Sequence, residues 1–171
     1  MESHAQSAVV YRESKEFDAA VEAYKNQQYE AARASWLPLA WQDDLAAMRN
    51  IGHLHRNGLG VPQSFDEAFN WYERAAEKGL AGAQANLADM LERGQGREKN
   101  LKEALEWFLA AAEQGHVIAQ YRLGLMLMRG DGIEKRLDHA LQWFTVAAEA
   151  GYEPAIRHAN RLEAEMKTAK K

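Results

Sequence analysis

Apolar residues recur along the chain at the spacing of helices with one buried side. In one stretch they stand three or four positions apart, at Ala83, Leu87, Met90 and Leu91. That spacing places them on one face of an α-helix. The stripe is followed by Gly94, and glycine most readily adopts the left-handed conformation that ends a helix. A second type of stripe begins at Phe65 and ends at Gly79. The pattern therefore predicts pairs of short amphipathic helices joined by glycine turns.

The whole arrangement returns every 36 positions, beginning at Ala47. Several columns keep the same residue in three successive blocks: Gly58, Gly94 and Gly130; Gly60, Gly96 and Gly132; Ala68, Ala104 and Ala140; Trp71, Trp107 and Trp143; Gly79, Gly115 and Gly151. Repetition at this period is typical of helical solenoids. The tryptophan column is expected to fill the core between layers, rather than to offer stacking platforms for sugars or bases.

The repeat divides the chain into units. Residues 47–82, 83–118 and 119–154 are predicted to be full repeats, and residues 11–46 a degenerate first repeat with helices at 17–25 and 29–41. Residues 155–171 contain only the first-helix pattern and a charged tail, as expected of a terminal cap. Residues 1–10 are expected to be disordered. Ser64 with Glu67, and Asn100 with Glu103, predict capping boxes, whereas the third repeat has no clear equivalent.

These residues resemble the Sel-one-like repeat (SLR) family, a relative of the tetratricopeptide repeats. The resemblance implies an all-α, right-handed α/α superhelix of antiparallel helix pairs, with the first helices lining a concave face. It also implies an adaptor that binds a protein or peptide in that groove. Cysteine-rich members staple each repeat with a disulfide. This chain has no cysteine, so activities of that branch are not carried over.

Composition narrows the choice of partner. The net charge is −4 and the basic residues form no continuous track, so nucleic acid is not expected to bind. No apolar run approaches the ~20 residues that span a membrane, and no membrane insertion is expected. Residues 1–16 lack the apolar stretch of a signal peptide. The expected location is cytoplasmic, or periplasmic if a signal sequence has been removed.

Candidate chemistry is sparse, and we expect no enzyme, metal or cofactor. His53 and His55 stand two positions apart on a helix and cannot share a metal ion. The GxG segments follow helices rather than strands, so they indicate turns and not phosphate-binding loops. The remaining alternative is a small-molecule-binding or hydrolytic protein that uses carboxylates in the groove.

The side of the first helices opposite the core stripe differs between repeats and gives the candidate groove residues. Its charged and polar members are Arg49, His53, Arg56, Asp89, Glu92, Arg157 and Arg161. Alternating basic and acidic patches suit a peptide of mixed charge. The alternative is an ordinary solvated face.

The third repeat carries apolar residues on that side, namely Tyr121, Leu125 and Met128. A helix that is apolar on two sides is normally covered on both. The favoured hypothesis is a partner contact or a homodimer through this patch. The main rival is cover by the terminal helix of the same chain.

Overall fold

In the computed structural model, which describes residues 15–130 and 133–168, these residues form nine α-helices and no strand. The helices are α1 (Lys15–Lys25), α2 (Tyr29–Trp41), α3 (Leu45–Asn57), α4 (Phe65–Glu77), α5 (Ala81–Arg93), α6 (Leu101–Glu113), α7 (Val117–Arg129), α8 (Leu137–Glu149) and α9 (Glu153–Thr168). The odd-numbered helices α3, α5 and α7 begin repeats and are called first helices below. The even-numbered α4, α6 and α8 are called second helices.

Each helix packs mainly against the helix before it and the helix after it. Three helices, α3, α5 and α7, repeat one apolar stripe: Ala47, Ile51 and Leu54 in α3 align with Ala119, Leu123 and Met126 in α7, and all six are buried. A core of alanine, leucine, methionine and aromatic side chains runs from α1 to α7, and a second cluster joins α7, α8 and α9. The predicted all-α solenoid is confirmed.

The predicted helix ends are largely as expected. Gly58, Gly94 and Gly130 all take the left-handed conformation after a first helix. Ser64 accepts a hydrogen bond from the Glu67 backbone N–H, and Asn100 accepts one from Glu103. The reciprocal half of the capping box differs, because the Ser64 N–H donates to the His55 carbonyl instead. Arg136 provides no side-chain cap in the third repeat.

The second glycine of each described GxG segment is required by packing between repeats. Gly96 has a φ of +77°, and a Cβ there would lie 2.4 Å from the carbonyl oxygen of Phe65. Gly60 meets the backbone of Glu30 in the same way, at 2.7 Å. Each loop is therefore pressed against the start of the preceding even-numbered helix. This close packing accounts for the glycine at these positions, so a phosphate-binding role is not needed to explain it.

The tryptophan column lies at the margin of the core, and the prediction that Trp107 is a core residue is wrong. Trp71 is buried, but Trp107 and Trp143 are only half-buried. The fully buried aromatic column is the next one along, with Tyr72, Phe108 and Phe144. The reason is rotation along the helix, because adjacent residues point about 100° apart.

Small residues on the first helices make room for this aromatic column. A Cβ on Gly124 would lie 2.6 Å from a ring carbon of Phe144, and one on Gly52 would lie 2.8 Å from the Tyr72 ring. The aromatic ring of each second helix thus lies directly on the backbone of its first helix. Ala88 occupies the equivalent position in the middle repeat and is also buried.

The ends differ from the central repeats. The pair α1 and α2 packs on α3, with Ala20, Ala32 and Trp36 buried. At the other end α9 packs on α8 and buries Ala155 and Leu162. The expectation of disorder for residues 1–10 concerns a segment outside the described residues.

Candidate functional site

Charged side chains connect the three first helices in one ladder. Arg56 on α3 is ion-paired with Asp89 on α5 and also donates to the Gln95 side chain at 2.8 Å. Arg122 on α7 contacts Asp89 at 3.0 Å and Glu92 at 2.5 Å. Of these residues, sequence analysis predicted Arg56, Asp89 and Glu92 as groove residues and missed Arg122. The basic and acidic side chains of this surface are therefore paired with one another across the helices.

The ladder keeps Asp89 ionised. Partial burial disfavours its charge, but hydrogen bonds from Arg56 and Arg93 outweigh burial and lower the pKa of the Asp89 carboxyl. A carboxylate that accepts such charge-assisted bonds is firmly held. The two acidic groups that a hydrolytic alternative would use, Asp89 and Glu92, are therefore both bound by arginines. A general acid or base needs a pKa near the working pH, whereas the pKa of Asp89 is lowered, away from that range.

Beside the ladder lies a cluster of aromatic and basic groups on α1 and α3. The Tyr24 hydroxyl is 3.0 Å from Nε2 of His53, and Asn57 donates to the His53 carbonyl at 2.8 Å. Burial lowers the pKa of His53, and the charges of Arg49 and Arg56 lower it further. His53 is therefore neutral at pH 7.

Arg49 is exposed and, among the described residues, has no carboxylate within ion-pair distance. Its side chain lies along the first turn of α5, where a Cβ on Gly82 would be 3.4 Å from its Cδ and Nε atoms. Its charge reaches α7 as well, since it adds to the effect of burial in lowering the pKa of His116. Nδ1 of His116 accepts the Ala119 N–H and caps α7. Arg49 is thus an unpaired cation beside two neutral histidines.

The apolar patch of the third repeat is covered by the same chain, and its assignment as an open partner or dimer contact is corrected. Leu125 is only 8% exposed and packs with Leu162 of α9. The Tyr121 ring lies 5.5 Å from the His158 ring of α9, and Met128 joins the same cluster. The rival explanation, cover by the terminal helix, fits this geometry because α9 supplies the second apolar surface.

Arg157 and Arg161 lie apart from the ladder. Each is exposed and pairs within α9, Arg157 with Glu153 at 3.5 Å and Arg161 with Glu165 at 2.8 Å. Such exposed pairs one turn apart contribute little to stability. The structure therefore joins the groove candidates of α3 and α5 into one site and leaves these two arginines outside it.

Within the described ranges, no group of three or more histidine, aspartate or glutamate side chains could hold a metal ion. No helix of the same ranges is long and apolar enough to cross a membrane. Arg122 was missed because its counterparts in the other repeats are Asn50 and Asn86, so its column carries no recurring charge.

The solved structures with similar folds include proteins of three bacteria. A Sel1 repeat protein from Oxalobacter formigenes is 38% identical with a TM-score of 0.80, over 84% of this chain and 59% of that one. A protective antigen of uropathogenic Escherichia coli with an SLR fold is 31% identical with a TM-score of 0.78, over 82% of this chain and 31% of that one. Cysteine-rich protein B of Helicobacter pylori, 18% identical with a TM-score of 0.54 over 83% and 90% of the two chains, shares the fold.

This chain thus spans less than two thirds of the length of the first two structures. No curated protein matches the sequence. The sequence model of the Sel1 repeat matches three times, at residues 45–80, 81–116 and 117–152. Each match begins at the first residue of a first helix. Together the matches cover more than half of the chain, which therefore belongs to the Sel1 repeat family.

Proposed function

We propose that this chain binds a protein or peptide partner across the surface of its first helices, with Arg49 as the contact for a carboxylate of that partner. Repeats of this family are generally protein–protein interaction modules. The observation that carries the proposal is that Arg49 is the groove arginine left without a carboxylate among the described residues, whereas Arg56 and Arg122 are paired.

The ladder supports this proposal by fixing the surface in advance. Side chains held by several charge-assisted bonds lose little further conformational freedom when a partner binds, so less affinity is spent on ordering them. In the ladder, the charges that would otherwise attract a partner of mixed charge are paired with one another. What remains is a positive site at Arg49, one helical turn from the neutral ring of His53, which the Tyr24 hydroxyl contacts at 3.0 Å.

The surroundings of Arg49 favour an anionic group. The first turn of α5, against which Arg49 lies, has no side-chain cap, so its backbone N–H groups add a positive potential. An acidic side chain or a terminal carboxylate of an extended peptide would meet both. The Tyr24 ring, packed against His53, offers an aromatic surface one turn away along α3.

A peptide library displayed on phage and selected on the immobilised chain tests the proposal. Enriched peptides are expected to carry Asp, Glu or a free C-terminus and to lose binding, by about 10-fold or more, when Arg49→Glu reverses the charge. Arg157→Glu is the matched control, because Arg157 is also an exposed helical arginine but lies outside the ladder. Equal binding to wild type and Arg49→Glu, or no enrichment at all, would overturn the proposal.

A further inference from the structure

A second candidate surface lies at the end of the solenoid, between α8 and α9. The two helices enclose a groove of about 500 Å³ lined by Leu141, Thr145, Ala148, Glu149, Ile156, Ala159, Asn160 and Glu163. It is separate from the ladder, because it lies between a second helix and the terminal helix. None of its residues was predicted from the sequence to bind a partner.

The repeat itself shows what such a groove holds. In each preceding repeat, the first helix is covered by the second helix that follows it, as α8 covers α7. Phe144 of α8 lies there on Gly124, and the Arg136 N–H donates to the Leu127 carbonyl. The equivalent positions of α9 line the groove between α8 and α9, and no helix of the described residues covers them.

Comparison of equivalent positions shows how much apolar surface is left open. Ala148 is half-buried, whereas its counterparts Ala40, Ala76 and Ala112 are buried. Ala159 is likewise half-buried, although Ile51, Leu87 and Leu123 at its position are buried. The end of the solenoid is therefore only partly closed.

Two substitutions along α9 point to an occupant different from the chain's own second helices. Asn160 stands where Gly52, Ala88 and Gly124 receive an aromatic ring, so its side chain leaves no room for such a ring. Ile156 stands where the three full repeats carry Met48, Gln84 and Gln120, so it replaces the two glutamines, whose side chains donate to the carbonyls of Ala76 and Ala112, by an apolar residue as at Met48. The second change makes the groove more apolar, which a surface adapted only to water would not need.

The rim of the groove is acidic. Glu149 and Glu163 stand at its edges. Glu163 is ion-paired with Lys167 of α9 at 2.8 Å, and it stands where the repeats carry His55, Leu91 and Leu127. In the repeats, the backbone carbonyl at that position accepts a hydrogen bond from the N–H group at the start of the next second helix, from Asn100 to Leu91 and from Arg136 to Leu127. Because an exposed pair one turn apart is weak, the Glu163 carboxylate can still attract basic side chains and the positive end of a helix.

We infer that the groove between α8 and α9 is a docking site for an amphipathic helix of a partner protein. That helix has a small residue opposite Asn160, an aliphatic stripe along Ile156 and Ala159, and basic residues at its edges. This interaction is independent of the groove at Arg49.

A peptide with the sequence of residues 136–150 serves as the probe, because that segment already packs against Gly124 in the third repeat. The probe carries Phe144→Ala to fit Asn160, Glu149→Lys to oppose the acidic rim, and a lactam from Asp138 to a lysine at position 142 to hold the helix. Both lactam positions are exposed in α8. A second peptide keeps the phenylalanine and is otherwise identical.

Binding is followed by two-dimensional NMR of the ¹⁵N-labelled full chain. The alanine peptide is expected to bind with sub-millimolar affinity and to shift the resonances of α8 and α9, and the phenylalanine peptide to bind ~10-fold more weakly. In the Asn160→Ala variant, which copies Ala88, this order should reverse. Thr145→Arg blocks the groove at an exposed position and should abolish binding, whereas Arg157→Ala should leave it unchanged.

Several outcomes would overturn the inference. These are no shift at millimolar peptide, shifts outside α8 and α9, and the same affinity in the Thr145→Arg variant. Sedimentation of the unliganded chain tests the other occupant. A dimer that Thr145→Arg dissociates would show that a second copy fills the groove, and the assignment to a partner helix would then be wrong.

Discussion

Replacement of Leu125 by aspartate tests whether α9 holds the third repeat together. Leu125 is 92% buried beneath α9, beside Leu162, and truncating such a leucine to alanine costs ~2–5 kcal/mol. A buried, unpaired carboxylate costs several kcal/mol more. The chain can avoid that cost by releasing α9, which uncovers Leu162, Tyr121 and part of Phe144. At roughly 1.5–3 kcal/mol for each large apolar side chain, release sets a ceiling on the order of 5 kcal/mol.

Thermal unfolding followed by circular dichroism measures this cost. A loss of about 5 kcal/mol corresponds to a Tm lower by roughly 10–20 °C in a chain of this size. Trypsin should also cleave the Leu125→Asp variant within α9, at Arg157 and Arg161, before it cleaves the remaining helices. Leu125→Met preserves volume and should change the free energy of unfolding by less than about 1.5 kcal/mol. An unchanged Tm and an uncleaved α9 in the aspartate variant would refute the reasoning and restore the patch as an open interface.

Phe108→Ala should lower the free energy of unfolding by ~3–5 kcal/mol because its ring is fully buried. Trp107→Ala changes a half-buried side chain and should lower it by clearly less. Urea unfolding of both variants measures the difference, and the reverse order would contradict the core assignment. Burial lowers the pKa values of His53, His55 and His116 in the folded chain, so below about pH 6.5 the unfolded chain binds protons that the folded chain does not. The urea concentration at the unfolding midpoint should therefore decrease when the pH is lowered from 7.5 to 5.5. His116→Asn keeps a cap for α7 but cannot titrate, so a fall as steep as in wild type would exclude His116 as a source.

The helices could be predicted from sequence because the period carries information from one repeat to another. The second helix of the degenerate repeat was predicted at residues 29–41 by subtracting the period, and α2 spans Tyr29–Trp41. The choice between two neighbouring aromatic columns could not be made in this way. Both columns repeat equally well, and only the contact of Phe144 with Gly124 shows which one faces inward.

The ladder was only half predictable for a similar reason. Arg56 and Asp89 are 33 positions apart, and so are Asp89 and Arg122. That separation is one helical turn less than the repeat, so the pairs do not fall in one column and comparison of columns does not find them. The cover of Tyr121 by α9 depends on the docking of the terminal helix, which no repeat in the chain exemplifies.

The position of Asp89 has a consequence for how the array unfolds. Since helices of this solenoid pack mainly on their immediate neighbours in sequence, its energetics resemble a one-dimensional chain in which units can melt from either end. Asp89 strengthens both interfaces of the middle repeat at once, because its carboxylate binds arginines from α3 and α7, which flank α5 from opposite sides. Each pair joins two neighbouring repeats and so adds to a nearest-neighbour interface of this scheme. Fraying that begins at either terminus therefore meets added resistance where it reaches α5.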